Sequence, residues 1–330
     1  MKLFKTIRLI YFAVCLVLLV AVPGLSQRTT FNDVRVRLIK SSSDRTLSES
    51  NGKLRFDDPA RKLIVESSGK PLQIGYDDVS KVVFDNIFRS PKKNAAKDIG
   101  YGTATDIIRK GGPLGRVIGA GVDARSSAKA FNDLRNYWMY IELRTPGGGF
   151  KPILIEIKQD DSTEVMSKAQ QLFGNKVHIP EFPQLGHEID KKTLREANVK
   201  HSVTVAKKNL PDPQINPDKA LVVVVCPISG TVANVWQFKL HANDSIVVVN
   251  RPGTYSFAYL EPGEYTLASQ AGFAGGNANG LTLNVEAGKD YYFLQNIVES
   301  SNTLLSRNAK EIVMFELQGS YYSNWKRISN

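Results

Sequence analysis

Apolar and polar residues alternate along most of this chain, in short runs separated by turn signals. Val34, Val36 and Leu38 alternate with Arg35 and Arg37, the period-two pattern of a strand with one buried face. Asn51-Gly52 reads as a turn, and Leu54 to Asp57 and Leu63 to Glu66 read as strands around Asp57-Asp58-Pro59. Leu72 to Ile74, Val82 to Phe84, Tyr137 to Leu143 and Ile153 to Ile157 continue the series, the last two joined across Pro146-Gly147-Gly148-Gly149. The period then changes. Asp161 stands where it can cap a helix, Glu164 takes the capping-box position, and Val165, Ala169, Leu172 and Phe173 share a face that ends at Gly174.

Pro183, Pro211, Pro213 and Pro217 punctuate residues 181–217, which read as a linker with one short helix from Lys191 to Ala197. From Ala220 onward strand-like runs return at Leu221 to Cys226, Val235 to Leu240, Ile246 to Asn250, Thr254 to Leu260, Glu264 to Ser269, Leu281 to Glu286 and Asp290 to Leu294. Pro252-Gly253, Pro262-Gly263, Asn279-Gly280 and Ala287-Gly288 separate several of them. Many short strands at this spacing predict an antiparallel β-sandwich.

Strands closed by one amphipathic helix, with Ile74-Gly75-Tyr76-Asp77-Asp78-Val79 among them, resemble the pleckstrin-homology-like domains of bacterial exported proteins over residues 30–180. Pro262-Gly263-Glu264-Tyr265-Thr266-Leu267 followed by Glu286-Ala287-Gly288-Lys289-Asp290-Tyr291-Tyr292-Phe293 resembles a bacterial exported domain family of unknown function, over residues 218–318. Together the pattern and the resemblances imply a mainly β protein. A PH-like β-barrel with a C-terminal helix and a helical glycine-rich insertion would fill 27–180, and an antiparallel β-sandwich 218–330. The resemblances imply a fold and a bacterial envelope location, and no reaction.

The N-terminus supports export. Lys2, Lys5 and Arg8 precede an uncharged apolar run of fourteen residues, Leu9 to Val22, and Gly24-Leu25-Ser26 supplies small residues for cleavage after Ser26. That is the layout of a secretory signal peptide over 1–26, and the run is short for a membrane span. The mature chain would then start at Gln27 and be periplasmic, outer-envelope or secreted. A retained anchor is the rival reading. Cleavage removes Cys15 and leaves Cys226, so no intramolecular disulfide is expected. Cys226 ends an apolar run and reads as a small core residue.

Among 330 residues, 42% are hydrophobic and 23% charged, values of a globular protein. The formal charge of +11 is unevenly placed: residues 27–217 carry +9 and residues 218–330 carry −1. The charge change and the prolines predict a domain junction, and a fragment from Pro217 to Asn330 that folds alone.

The least ordinary stretch is the insertion 92–135, with seven glycines and a local net charge of +5. Lys92, Lys93, Arg109, Lys110 and Arg116 supply cations, and Leu114, Val117 and Ile118 can share a helical face. Such a segment suits an anionic membrane or a protein partner, or a solvated helical cover over one sheet opening. Tyr321, Tyr322 and Trp325 are a second candidate partner surface, since sandwiches use exposed aromatics to grip partners.

No catalytic constellation is legible. Gly119-Ala120-Gly121-Val122-Asp123-Ala124 matches a dinucleotide fingerprint but lacks the flanking strand and helix that motif needs. His178, His187, His201 and His241 are scattered, and no metal-ligating spacing occurs. No catalytic residue, cofactor or metal is therefore expected. Export and the lack of a recognition motif argue against nucleic acid. The expectation is a non-enzymatic exported protein that binds a protein or envelope-surface partner. Its alternatives are a peripheral membrane module using 92–135 and a hydrolase with an unfamiliar site.

Overall fold

The alternation at the start of the chain becomes one eight-stranded sheet. Its strands are β1 (Thr30–Ser41), β2 (Thr46–Asp57), β3 (Lys62–Glu66), β4 (Leu72–Gly75), β5 (Val79–Phe88), β6 (Arg135–Arg144), β7 (Phe150–Ile157) and β8 (Val177–His178). They lie in the order β4-β3-β2-β1-β7-β6-β5-β8. Every pairing is antiparallel except that of β8 on β5. These and the elements below come from a computed structural model that describes residues 28–41, 46–67, 69–88, 135–180, 187–189, 194, 199–227, 237–271, 278–298 and 302–328. Residues 1–27 and 89–134, on which the expected signal peptide and most of the expected insertion fall, lie outside the described residues.

Helix α1 (Gln159–Phe173) follows β7 and closes this first unit. Its Val165, Ala169 and Phe173 pack on Val34, Phe56, Leu63, Val82, Ile141 and Ile155 from the sheet. The helix starts two residues before the expected cap, with Lys158 at the N-cap and no side-chain capping bond. Arg28 engages the carboxylates expected to cap. Its guanidinium donates to Asp161 at 2.6 Å and its backbone N–H to Glu164 at 2.8 Å. Gly174 ends the helix as expected, at φ +54°, a left-handed conformation that suits glycine.

The second unit has two sheets. One runs β10-β19-β14-β11-β17-β18 and the other β13-β12-β15-β16-β9. Here β9 is His187–Ile189, β10 His201–Ala206, β11 Ala220–Cys226, β12 Phe238–Ala242, β13 Ser245–Asn250 and β14 Thr254–Leu260. The remainder are β15 Gly263–Ala271, β16 Ala278–Val285, β17 Asp290–Val298, β18 Asn302–Arg307 and β19 Tyr321–Arg327. Ala220, Val222, Val224, Tyr291 and Phe293 of the first sheet meet Leu240, Val248, Leu267, Leu281 and Leu283 of the second in a sandwich core.

Two expectations change. The sandwich is not purely antiparallel: β17 runs parallel to β11, and β19 parallel to β14. The turn before β17 returns the chain to the start of β11, where Gly288 N–H donates to the Lys219 carbonyl and Leu221 N–H to that of Lys289. From there β17 can only run alongside β11 in the same direction. The segment 181–217 is also more than a connection, because β9 pairs with β16 and β10 with β19. Gly280 admits β9: a Cβ there would collide with Ile189 and with the Leu267 carbonyl. The helix expected at Lys191 to Ala197 lies outside the described residues except for Leu194, which packs on Ala268 and Ala278.

What joins the two units is helix α2 (Lys310–Gln318). Its Ile312, Val313, Phe315 and Leu317 pack in one cluster with residues of both units. Val83, Trp138, Tyr140 and Leu154 come from the first unit's sheet, and Leu221, Val223, Val225, Tyr255, Tyr292 and Leu294 from the second's. This explains why all seven residues of β11 are buried. Its even-numbered residues face the sandwich core and its odd-numbered valines face α2, so both faces of the strand are covered.

Candidate interaction site

Residues that carry chemistry converge where α2 meets the first unit. Arg37 of β1 and Glu316 of α2 are both almost fully buried and form a two-pronged ion pair. The guanidinium lies 5.5 Å from the Trp138 ring centre, and the half-exposed Glu49 approaches it at 3.6 Å. Lys81 of β5 pairs with Glu311 at the other end of the helix. Together the two pairs hold both ends of α2 against the first unit.

Asp85 of β5 replaces the missing cap of α2. Its carboxylate accepts the Ala309 N–H at 2.7 Å, the Asn308 side-chain amide at 3.2 Å and the Asn86 N–H at 2.7 Å. The negative charge also suits the positive end of the helix dipole. Burial nevertheless pushes the carboxyl up to about 6, with Glu311 adding to the rise, and the three donors only partly oppose this. A carboxyl that holds its proton more tightly when folded stabilises the fold at low pH. That contribution is full below the unfolded value near 4 and is lost as pH rises through about 6. A rise of that size is worth about 3 kcal/mol at most. Asp85→Asn is therefore expected to flatten the fall in stability between pH 4 and 6, measured as urea midpoints against the parent chain. A parent and variant that run in parallel across this range would remove Asp85 from the interface.

The other perturbed groups also serve the frame. The Lys168 ammonium, at 2.6 Å, and the Tyr76 hydroxyl hold Asp58 below the usual carboxylate range. Burial pushes the Cys226 thiol far up, so it stays protonated in the core as its apolar run implied. His241 is buried beside Gln270, and the Asn243-Asp244 turn that follows it joins β12 to β13. Among the described residues no group of three or more His, Cys, Asp or Glu is placed to hold a metal. No described helix is long and apolar enough to cross a membrane.

Of the surface candidates, Lys92, Lys93, Arg109, Lys110, Leu114, Arg116, Val117 and Ile118 lie outside the described residues. Tyr321, Tyr322 and Trp325 all fall on β19, yet they do not form one patch. Trp325 is half-buried against Val203, Ile246 and Val249. Tyr321 is half-buried, with the Lys207 ammonium 5.9 Å from its ring centre. Tyr322 points the other way, into an aromatic group with Tyr255 at 5.5 Å and Phe257 at 6.0 Å between ring centres.

Of that aromatic group, Tyr322 was named from sequence as a surface candidate and its neighbours on β14 were not. Tyr255, Phe257 and Tyr259 alternate along β14 and so share a face, with Phe257 and Tyr259 edge to face at 5.9 Å. The parallel pairing of β14 and β19 sets Tyr322 beside Tyr255. Irregular chain around Pro211 and Gln214 meets this ladder without joining any sheet. The Tyr255 hydroxyl donates to the Pro211 carbonyl at 2.6 Å, and the Tyr259 hydroxyl to the Gln214 carbonyl at 2.7 Å. The alternation at 255, 257 and 259 was visible in the sequence; its proline-containing neighbour was not. No protein-family model matches the chain, and no curated protein matches it significantly.

Proposed function

We propose that this protein is a non-enzymatic binding module of the bacterial envelope or exterior, which holds a protein or surface partner. The observation that carries this reading is the way the reactive side chains are engaged. Asp85 caps α2, Asp58 ties α1 to the first sheet, Glu316 neutralises a buried arginine, and Cys226 is sealed in a core. Each has a framework task. The aromatic ladder of β14, by contrast, presents hydroxyl donors to a segment of irregular chain.

The same reading takes the first unit as a PH-like barrel. The run β4-β3-β2-β1-β7-β6-β5, with α1 directly after the seventh strand and packed on the core, supports it. For the second unit, the motifs from Pro262 and Glu286 support membership of the exported domain family. The apolar run from Leu9 to Val22 supports export, and N-terminal sequencing of exported material should begin at Gln27.

Chemical cross-linking in intact cells, followed by reconstitution with the purified partner, tests the function. The reading expects one saturable complex with the full chain that leaves the partner chemically unchanged. A partner consumed or modified catalytically would contradict it and restore the hydrolase alternative.

A further inference from the structure

The three sheets end on β4, β8, β10, β18, β13 and β9. Strands β4, β8 and β9 are four residues or fewer. On β18 the Leu305 N–H donates to the Asn279 side chain at 3.0 Å, and on β13 the Val249 carbonyl accepts the Ser323 hydroxyl at 2.6 Å. Strand β10 runs for six residues, and among the described residues its backbone pairs with β19 and nothing else. The ladder also fixes which of its groups are free. The Lys200 carbonyl accepts the Ile328 N–H from the β19 side, and in an antiparallel ladder alternate residues turn their N–H and C=O the same way. Ser202, Thr204 and Ala206 therefore face β19, while His201, Val203 and Val205 turn theirs outward. Such a row of backbone groups is a template for another strand.

The charge around this edge is of one sign. Lys200, Lys207 and Lys208 bracket β10, Lys326 and Arg327 lie at the end of β19, and all five are exposed. No Asp or Glu occurs in residues 199–208 or 321–328. A second copy is a poor occupant. Antiparallel self-pairing about the centre of β10 would set Lys200 opposite Lys207, and like charges directly opposite destabilise a sheet. An acidic strand meets the same lysines as partners.

We propose that β10 is a docking edge for an extended acidic segment of a partner protein, which joins the six-stranded sheet as its new outer strand. This deepens the binding-module reading and rests on it. The outward groups of His201, Val203 and Val205 supply the ladder, and the flanking lysines select the charge. The two faces of β10 set the rest of the pattern. Val203 is buried, whereas Ser202 and Thr204 are exposed, so the incoming strand alternates apolar and polar residues between acidic ends.

The test uses the full chain and a short fluorescent peptide that alternates valine and threonine between paired glutamates, with a counterpart that ends in lysines. The glutamate peptide should bind saturably, at least about tenfold more tightly than the lysine peptide, and more weakly as salt is raised. Val205→Pro removes one outward N–H and spares the β19 ladder, and edge strands tolerate proline at such positions. It should weaken glutamate-peptide binding by at least about fivefold, the loss of one hydrogen bond. Lys200→Glu, Lys207→Glu and Lys208→Glu together change exposed positions and should invert the preference between the two peptides, which keeps the idea testable if the proline variant folds poorly. No saturable binding of the glutamate peptide to the parent at roughly millimolar concentration would overturn the edge. So would binding that ignores both the proline and the charge reversal. Capture of phosphatidylserine vesicles without capture of the peptide would assign the lysines to a membrane and overturn it as well. If the edge fails while a cross-linked partner still binds the chain with Val205→Pro at full affinity, the binding-module reading stands and β10 is not its contact.

Discussion

Glu316→Leu should lower the unfolding free energy by about 3–5 kcal/mol, the cost of leaving a buried charge without its partner. Arg37 is 7% exposed, and its remaining carboxylate, Glu49, is half-exposed and 3.6 Å away. That contact screens the stranded guanidinium only in part. The loss should not be repeated when Arg37 is removed as well. Arg37→Met combined with Glu316→Leu should recover most of the stability, because two apolar side chains remove both desolvation penalties at once. Urea midpoints for the parent, the two single variants and the double variant check this. A double variant as weak as the sum of the singles would show that the pair does not act as a unit.

Trp138→Ala should cost about 3–5 kcal/mol, the usual range for emptying a large buried aromatic site. Trp138 is fully buried, sits in the cluster that packs α2 between the units, and carries the Arg37 guanidinium over its ring. Its removal opens a void and loosens the ion pair together. Its effect should therefore be less than additive with Glu316→Leu. Thermal unfolding of each single and of the double variant separates these cases, and strict additivity would place Trp138 outside the network.

Much of the frame could be read from residue order. The alternation through Val34, Val36 and Leu38 and the apolar run ending at Cys226 became strands, and Gly174 closed α1. Helix α2 was hidden because Ile312, Val313, Phe315 and Leu317 are apolar around most of its circumference, so a nine-residue helix showed no single stripe. Strand β10 alternates as Val203 and Val205, but the prolines after it point toward a linker. The partners of strands are set by tertiary packing, so the parallel pairing of β11 with β17, and of β14 with β19, left no local mark. The Asp85 cap was equally silent, as its helix lies more than two hundred residues away. The aromatic group depended on both kinds of hidden information, a strand neighbour and a distant irregular segment.

Calorimetric unfolding of the chain tests most directly whether α2 fuses the two units into one body. A core shared by Trp138, Phe315 and Val223 predicts a single transition whose calorimetric and van't Hoff enthalpies agree. A fragment from Pro217 to Asn330, which lacks β9 and β10 and bares the outer side of α2, should melt lower and more broadly. Two resolved transitions in the full chain, one coinciding with a sharp transition of the fragment, would contradict the fused core.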